Sequence, residues 1–188
     1  MERQSKIVVR KNLNFNKLLA SLQNITCFVF DVDGVLTNGE VIVMPDGLLV
    51  RKMNIKDGYA IQLAIKKGYS VWVISGGNSN EVEERLNLLG VKEVHMKVKD
   101  KRSLLQELSI LNNIPLDQML FMGDEMPDLE AMKMVGIAAC PNDAAADIKQ
   151  IANYISAING GAGCARDVIE KVLKLNDKWD TEEGIRAQ

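Results

Sequence analysis

The segment Phe28-Val29-Phe30-Asp31-Val32-Asp33-Gly34-Val35-Leu36-Thr37 constrains this chain more than any other. A run of large apolar residues ends in two carboxylates spaced i, i+2, and a glycine follows at once. The run Cys27–Phe30 reads as a buried strand. Its carboxylates then stand at the C-terminal end, where open α/β sheets place their ligands. Two close carboxylates repel and are costly unless a cation neutralises them. Their hard oxygens suit Mg²⁺, which commonly takes one or two protein carboxylates plus phosphate oxygens. Such a site suits phosphoryl transfer by an aspartate nucleophile. The competing reading is a plain strand end with an Asp-Gly turn. The rest of the sequence decides between them.

Strand and helix patterns alternate along the chain. Leu13–Leu22 reads as an amphipathic helix. Val41–Met44 and Leu48–Met53 flank Pro45-Asp46-Gly47, which is turn chemistry, so they predict a β-hairpin. Helix is expected over Lys56–Lys67, Asn80–Leu89, Asp100–Leu111, Met126–Val135, Ala144–Ala152 and Ala165–Leu175. Strand is expected over Tyr69–Ile74, Val91–Met96, Met119–Met122, Gly136–Cys140 and Tyr154–Ala157. This alternation predicts an α/β fold, a Rossmann-like parallel sheet with helices on both faces. Residues 1–188 read as one domain. It carries an N-terminal extension with a helix (1–24), a protruding hairpin (40–53) and a mobile polar tail (176–188).

Composition excludes several classes. The formal net charge of −2 argues against nucleic acid or an anionic membrane as partner. Cys27, Cys140 and Cys164 are scattered, which argues against a disulfide framework or a zinc site. No apolar run approaches the roughly 20 residues that span a bilayer. Met1–Lys11 is charged with no signal-type apolar stretch beside it, so a cytoplasmic location is expected.

Three further segments put chemistry after expected strands. Ser75 follows Tyr69–Ile74, and its hydroxyl can hold a phosphate oxygen. Gly76 and Gly77 let backbone N–H groups approach that anion. Lys101 lies near the start of the Asp100 helix, where its charge favours an anion. Gly123-Asp124-Glu125, with Asp128 beyond, adds a second acidic cluster for the metal. Taken singly, Ser75 could be a cap, Lys101 a solvated charge and the acids a helix first turn. Four such coincidences in order favour the functional reading. His95, Trp72, Asp57, Asp143 and the methionines Met119, Met122, Met126, Met132 and Met134 are assigned ordinary packing or turn roles.

The order Asp31-Val32-Asp33-Gly34-Val35, Ser75-Gly76, Lys101, Gly123-Asp124-Glu125-Met126-Pro127-Asp128 resembles the haloacid dehalogenase superfamily of aspartate-nucleophile phosphatases. Thr37-Asn38-Gly39, the hairpin, Asn54-Ile55-Lys56-Asp57-Gly58 and Gly160-Gly161-Ala162-Gly163-Cys164-Ala165-Arg166 narrow the resemblance. They look like the capless 3-deoxy-D-manno-octulosonate 8-phosphate phosphatases. The resemblance implies Mg²⁺, a small phosphorylated sugar acid as substrate, a role in lipopolysaccharide precursor synthesis and a homotetramer whose neighbouring subunit closes the site. It implies Asp31, Asp33, Ser75 and Lys101 as catalytic, and Asp31, Asp33, Asp124, Glu125 and Asp128 around the metal. Thr37, Gly76, Gly77, Arg85 and Arg166 would face the substrate. This chain departs from the family in having Gly77 where an arginine is usual and Glu125 where a second Asp is usual. A phosphatase of nine-carbon sialic-type 9-phosphates is the alternative substrate reading, and a non-catalytic module of the same fold is a second. An acidic residue at Gly77 and a lysine at Leu88 would favour the nine-carbon substrate, and neither is present.

Overall fold

The computed structural model describes residues 15–180. Helix α1 (Phe15–Gln23) leads into β1 (Cys27–Phe30), and a hairpin of β2 (Ile42–Val43) and β3 (Leu49–Val50) follows. Strand and helix then alternate through α2 (Ile55–Lys66), β4 (Ser70–Ile74), α3 (Asn80–Leu88), β5 (Glu93–His95) and α4 (Lys101–Leu111). The alternation continues with β6 (Met119–Met122), α5 (Leu129–Met132), β7 (Ile137–Cys140), α6 (Ala146–Ile151), β8 (Tyr154–Ile155) and α7 (Cys164–Leu175).

Strand β1 sits inside the sheet because its residues are apolar on both faces. Phe28 and Phe30 pack into the core under α1, α2 and α7, and Cys27 and Val29 into the core under α4, α5 and α6. The sheet order is β5-β4-β1-β6-β7-β8, with every pair parallel. The chain runs outward from β1 through β4 to β5 and then returns to β6. The order therefore reverses at β1, and a crevice opens beyond the strand ends there. Phe30 pairs with both Val73 and Met122, which brings Asp31, Ser75 and Asp124 to one level.

The turn after β1 is wound tightly. Thr37 N–H donates to the Val32 carbonyl (3.0 Å), and Gly34 takes φ +84°. The Gly160–Gly163 loop braces this turn from behind, with Gly161 N–H donating to the Val35 carbonyl (2.9 Å). Asp143 accepts from Gly160 N–H at 2.9 Å and fixes that loop.

Several expectations are corrected. The helix expected over Met126–Val135 is a 3₁₀ turn at Met126–Asp128 followed by the single turn of α5. Asp128 explains the change: its carboxylate accepts from Asp124 N–H (3.1 Å) and Glu125 N–H (3.4 Å), which ties the helix start into the loop. Met126 is exposed rather than core. The tail is anchored where it leaves α7. Trp179 packs edge-on against Tyr59 and lies 5.1 Å from the Arg166 guanidinium, and Asp180 pairs with Lys67 at 2.7 Å. Leu13 and the tail beyond residue 180 lie outside the described residues. The hairpin covers little of its own domain: Val41, Ile42, Val43, Met44, Leu48, Leu49 and Val50 are all exposed. Among the described residues no helix is long and apolar enough to cross a membrane.

One buried carboxyl joins two helices. Asp57 on α2 is 2% exposed and accepts from the Arg166 N–H at 2.7 Å, capping the first turn of α7. Its second oxygen has no hydrogen-bond partner. Burial pushes its pKa from 3.8 up to about 6, against the Arg166 N–H and charge. A carboxyl whose pKa rises on folding stabilises the fold below the unfolded-state value and loses that contribution as pH climbs through the folded value. Between pH 4 and 7 the wild type is therefore expected to lose up to about 3 kcal/mol that Asp57→Asn does not lose. Urea titrations of both proteins at the two pH values check this; parallel pH profiles would refute it.

Candidate active site

Asp31, Asp124 and Asp128 converge at the crevice, and each offers one carboxylate oxygen within 4.8 Å of the others. Their burial is unequal: Asp128 is fully buried, Asp31 nearly so and Asp124 half-buried. Lys101, 4% exposed, reaches in from the start of α4. Its Nζ lies 2.6 Å from Asp128 Oδ1 and 2.9 Å from Asp31 Oδ1. Lys97 and Lys99, nearby in sequence, are exposed. Asp100 caps α4 through Ser103 N–H (3.0 Å), which sets the helix start and so the reach of Lys101.

One lysine among three carboxylates leaves the cluster net negative. Burial first, and then the Asp128 charge, push the Asp31 pKa up to about 6 against Lys101. Burial, Asp31 and Asp128 together push Asp124 up to about 7. Burial would lower the Lys101 pKa, but Asp31 and Asp128 outweigh it and the net shift is upward. The Asp124 Oδ1 is buried without a partner. An orphaned carboxylate oxygen beside a second half-engaged carboxylate is the donor set of a hard divalent cation. Asp128 is spoken for: one oxygen binds Lys101 and the other the backbone N–H groups of Asp124 and Glu125. It orients its neighbours rather than offering a free oxygen.

Gly34 lets Asp124 approach. A Cβ on Gly34 would run into the Asp124 carboxylate, and its positive φ disfavours any side chain. Across the cleft Ser75 is buried, and its Oγ accepts from Gly77 N–H at 3.0 Å. Gly76 and Gly77 line the same cleft.

Of the other expected residues, Asp33 and Glu125 line the cleft outside the three-acid cluster, and Thr37, Arg85 and Arg166 do not line it. The Asp33 carboxylate is outside the three-acid cluster and forms an ion pair with Arg51. The Glu125 carboxylate is outside it too, and accepts from Met126 N–H at 2.7 Å. Thr37 is buried, with its hydroxyl on the Val32 carbonyl (3.3 Å) and Asp33 (3.5 Å), so it supports the turn. Arg85 lines a neighbouring groove with Arg51, Glu81 and the hairpin, and its buried Nε has no partner. Arg166 does not line the cleft; its guanidinium lies against Tyr59 and Trp179 at the start of α7. Sequence reasoning missed Arg51, which follows the hairpin without any local motif. The only signal was a cation standing after a run of apolar hairpin residues.

This chain and its fold match known proteins. A model of haloacid dehalogenase-like hydrolases matches residues 89–167. The 3-deoxy-D-manno-octulosonate 8-phosphate phosphatase of Yersinia pestis is 30% identical over 162 residues, covering 86% of this chain and 87% of that protein. The Yersinia pestis structure superposes with TM-score 0.85 at 29% identity, covering 91% of each chain. The Moraxella catarrhalis phosphatase, solved with magnesium, phosphate and the sugar acid KDO, gives TM-score 0.85 at 28% identity, covering 89% and 96%. The chain belongs to the haloacid dehalogenase superfamily, in its 3-deoxy-D-manno-octulosonate 8-phosphate phosphatase-like family. It is a phosphatase.

Proposed function

We propose that this phosphatase hydrolyses 3-deoxy-D-manno-octulosonate 8-phosphate to the free sugar acid and phosphate, in lipopolysaccharide precursor synthesis. The observation that carries the substrate reading is Arg85. It lines a groove joined to the cleft through the Arg51–Asp33 pair, and its buried Nε has no hydrogen-bond partner. A phosphorylated acid could place its phosphate by Asp31 and its carboxylate on that guanidinium. The Moraxella catarrhalis relative, solved with KDO, supports the same substrate.

In this reading an Asp31 oxygen attacks phosphorus in line, and the bond from phosphorus to the sugar oxygen breaks. Asp33 gives the leaving oxygen a proton, then takes one from the water that cleaves the aspartyl-phosphate. Ser75 and Lys101 face the phosphoryl oxygens and offset their charge. Mg²⁺, held by Asp31, Asp124 and the Asp33 backbone carbonyl, would supply further charge neutralisation there. Asp128 would keep Lys101 and the Asp124 loop in register from behind.

The exposed apolar hairpin supports self-association, and in our reading the protein is a cytoplasmic homotetramer in which a neighbour excludes water from the open cleft. Light scattering at micromolar concentration tests this: a fully active monomer would refute it. The substrate is tested by phosphate release from the eight-carbon 8-phosphate and the nine-carbon 9-phosphate side by side. The eight-carbon compound is expected to give the higher kcat/KM by about tenfold or more. Equal values, or a preference for the longer acid, would contradict the proposal.

A further inference from the structure

Arg51 is the charged residue that the site leaves unexplained. Its side chain is 5% exposed although it leaves a hairpin whose apolar residues are exposed. Nε donates to Asp33 Oδ1 at 2.7 Å and Nη2 to Asp33 Oδ2 at 3.1 Å, a two-armed clamp. Nη1 donates to the Leu49 carbonyl at 3.1 Å, which ties the clamp to the hairpin strand. The opposite wall is Gly77. A Cβ there would come 2.8 Å from Asp33 Oδ2 and 3.3 Å from Arg51 Nη2. The clamp therefore occupies the space that any side chain at position 77 would need.

A bidentate arginine–carboxylate pair fixes the plane of the carboxylate as well as its position. A solvated surface pair would not. The pair also stands on the border between the cleft and the Arg85 groove, since Asp33 lines one and Arg51 the other.

We infer that Arg51 is a positioning residue: seated over Gly77, its guanidinium sets where the Asp33 carboxylate stands during turnover. Nε holds Oδ1 at 2.7 Å, and Oδ2, on the longer 3.1 Å arm, is the oxygen left to carry the proton exchanged with the leaving group. The inference rests on the role proposed for Asp33, and it ties the hairpin to the chemistry through one side chain.

The test is a set of four variants: Arg51→Ala, Arg51→Lys, Gly77→Ala and the double Arg51→Ala/Gly77→Ala. Steady-state kinetics are read with 3-deoxy-D-manno-octulosonate 8-phosphate. If the wild type ignores that compound, p-nitrophenyl phosphate is used, so a wrong substrate does not decide this question. Arg51→Ala is expected to lower kcat about tenfold to a hundredfold with a smaller change in KM. Arg51→Lys keeps the charge without the fork and is expected to recover part of the loss. Gly77→Ala is expected to lower kcat by pushing the clamp apart. With the clamp already gone, adding Gly77→Ala should cost far less, so the two effects do not multiply. Circular dichroism and melting temperature report folding; if Arg51→Ala misfolds, Arg51→Lys and Gly77→Ala still carry the kcat comparison. Unchanged kcat with a lowered melting temperature would make Arg51 a scaffold pair and overturn the inference. So would a rise in KM alone, or losses that multiply in the double variant.

Discussion

Asp31→Asn is expected to abolish phosphate release while leaving the fold in place. The amide keeps the shape of the side chain and its oxygen can still accept the Val32 N–H now made at 2.7 Å. It cannot act as the attacking carboxylate, although the same oxygen still faces Lys101 Nζ, now 2.9 Å from Asp31 Oδ1. Loss of a nucleophile costs on the order of 10⁴-fold or more in kcat. Stability should change little, because one of three crowded negative charges disappears while the amide oxygen can keep the contacts to Val32 N–H and Lys101. Melting curves and a phosphate-release assay on the same preparation separate the two effects. A folded Asp31→Asn protein with substantial turnover would remove Asp31 from the mechanism.

Lys101→Met should damage both activity and stability, and its pH dependence is its signature. Methionine fills similar volume but leaves Asp31 and Asp128 without their shared cation. Removing one partner of a buried ion pair costs about 3–5 kcal/mol. Losing the cation that faces the phosphoryl group costs about 10²-fold to 10³-fold in kcat. The stability loss should be largest near pH 8, where Asp31, raised to about 6 by burial and the Asp128 charge, is ionised, and it should shrink toward pH 5 as Asp31 takes up a proton. Denaturant titrations across that range check the trend; a loss independent of pH would mean that packing, not charge, explains the effect.

How much of this was legible follows from where each residue gets its position. Asp31, Ser75 and Asp124 each end a strand whose apolar run is plain in sequence, and parallel register then aligns them. Lys101 was legible only as one of several nearby lysines, because its burial depends on the Asp100 cap and on Asp128 across the loop. Arg51 was legible only as a cation at the end of the apolar hairpin run, with nothing to say what it meets. Its partner is 18 positions away, and the clamp exists only once the hairpin folds back over Gly77. Arg166 was placed by motif at the substrate, whereas the structure spends it on two aromatic rings at the start of α7. The tail was read as mobile from its polarity; in its described part, residues 176–180, Trp179 packs edge-on against Tyr59. Local pattern reports strands and caps well. It reports poorly which side chain meets which across a hundred residues.

In the proposed reading, the Asp31–Asp124 cleft is a Mg²⁺-dependent phosphatase site for a sugar-acid phosphate. Free phosphate released from 3-deoxy-D-manno-octulosonate 8-phosphate, followed before chelation, after exhaustive chelation and after Mg²⁺ is returned, tests it most directly. Turnover, its loss and its recovery are expected in that order, with Ca²⁺ failing to restore activity because Ca²⁺ takes more and longer ligands. Full activity after chelation, or no phosphate release at any Mg²⁺ concentration, would contradict it.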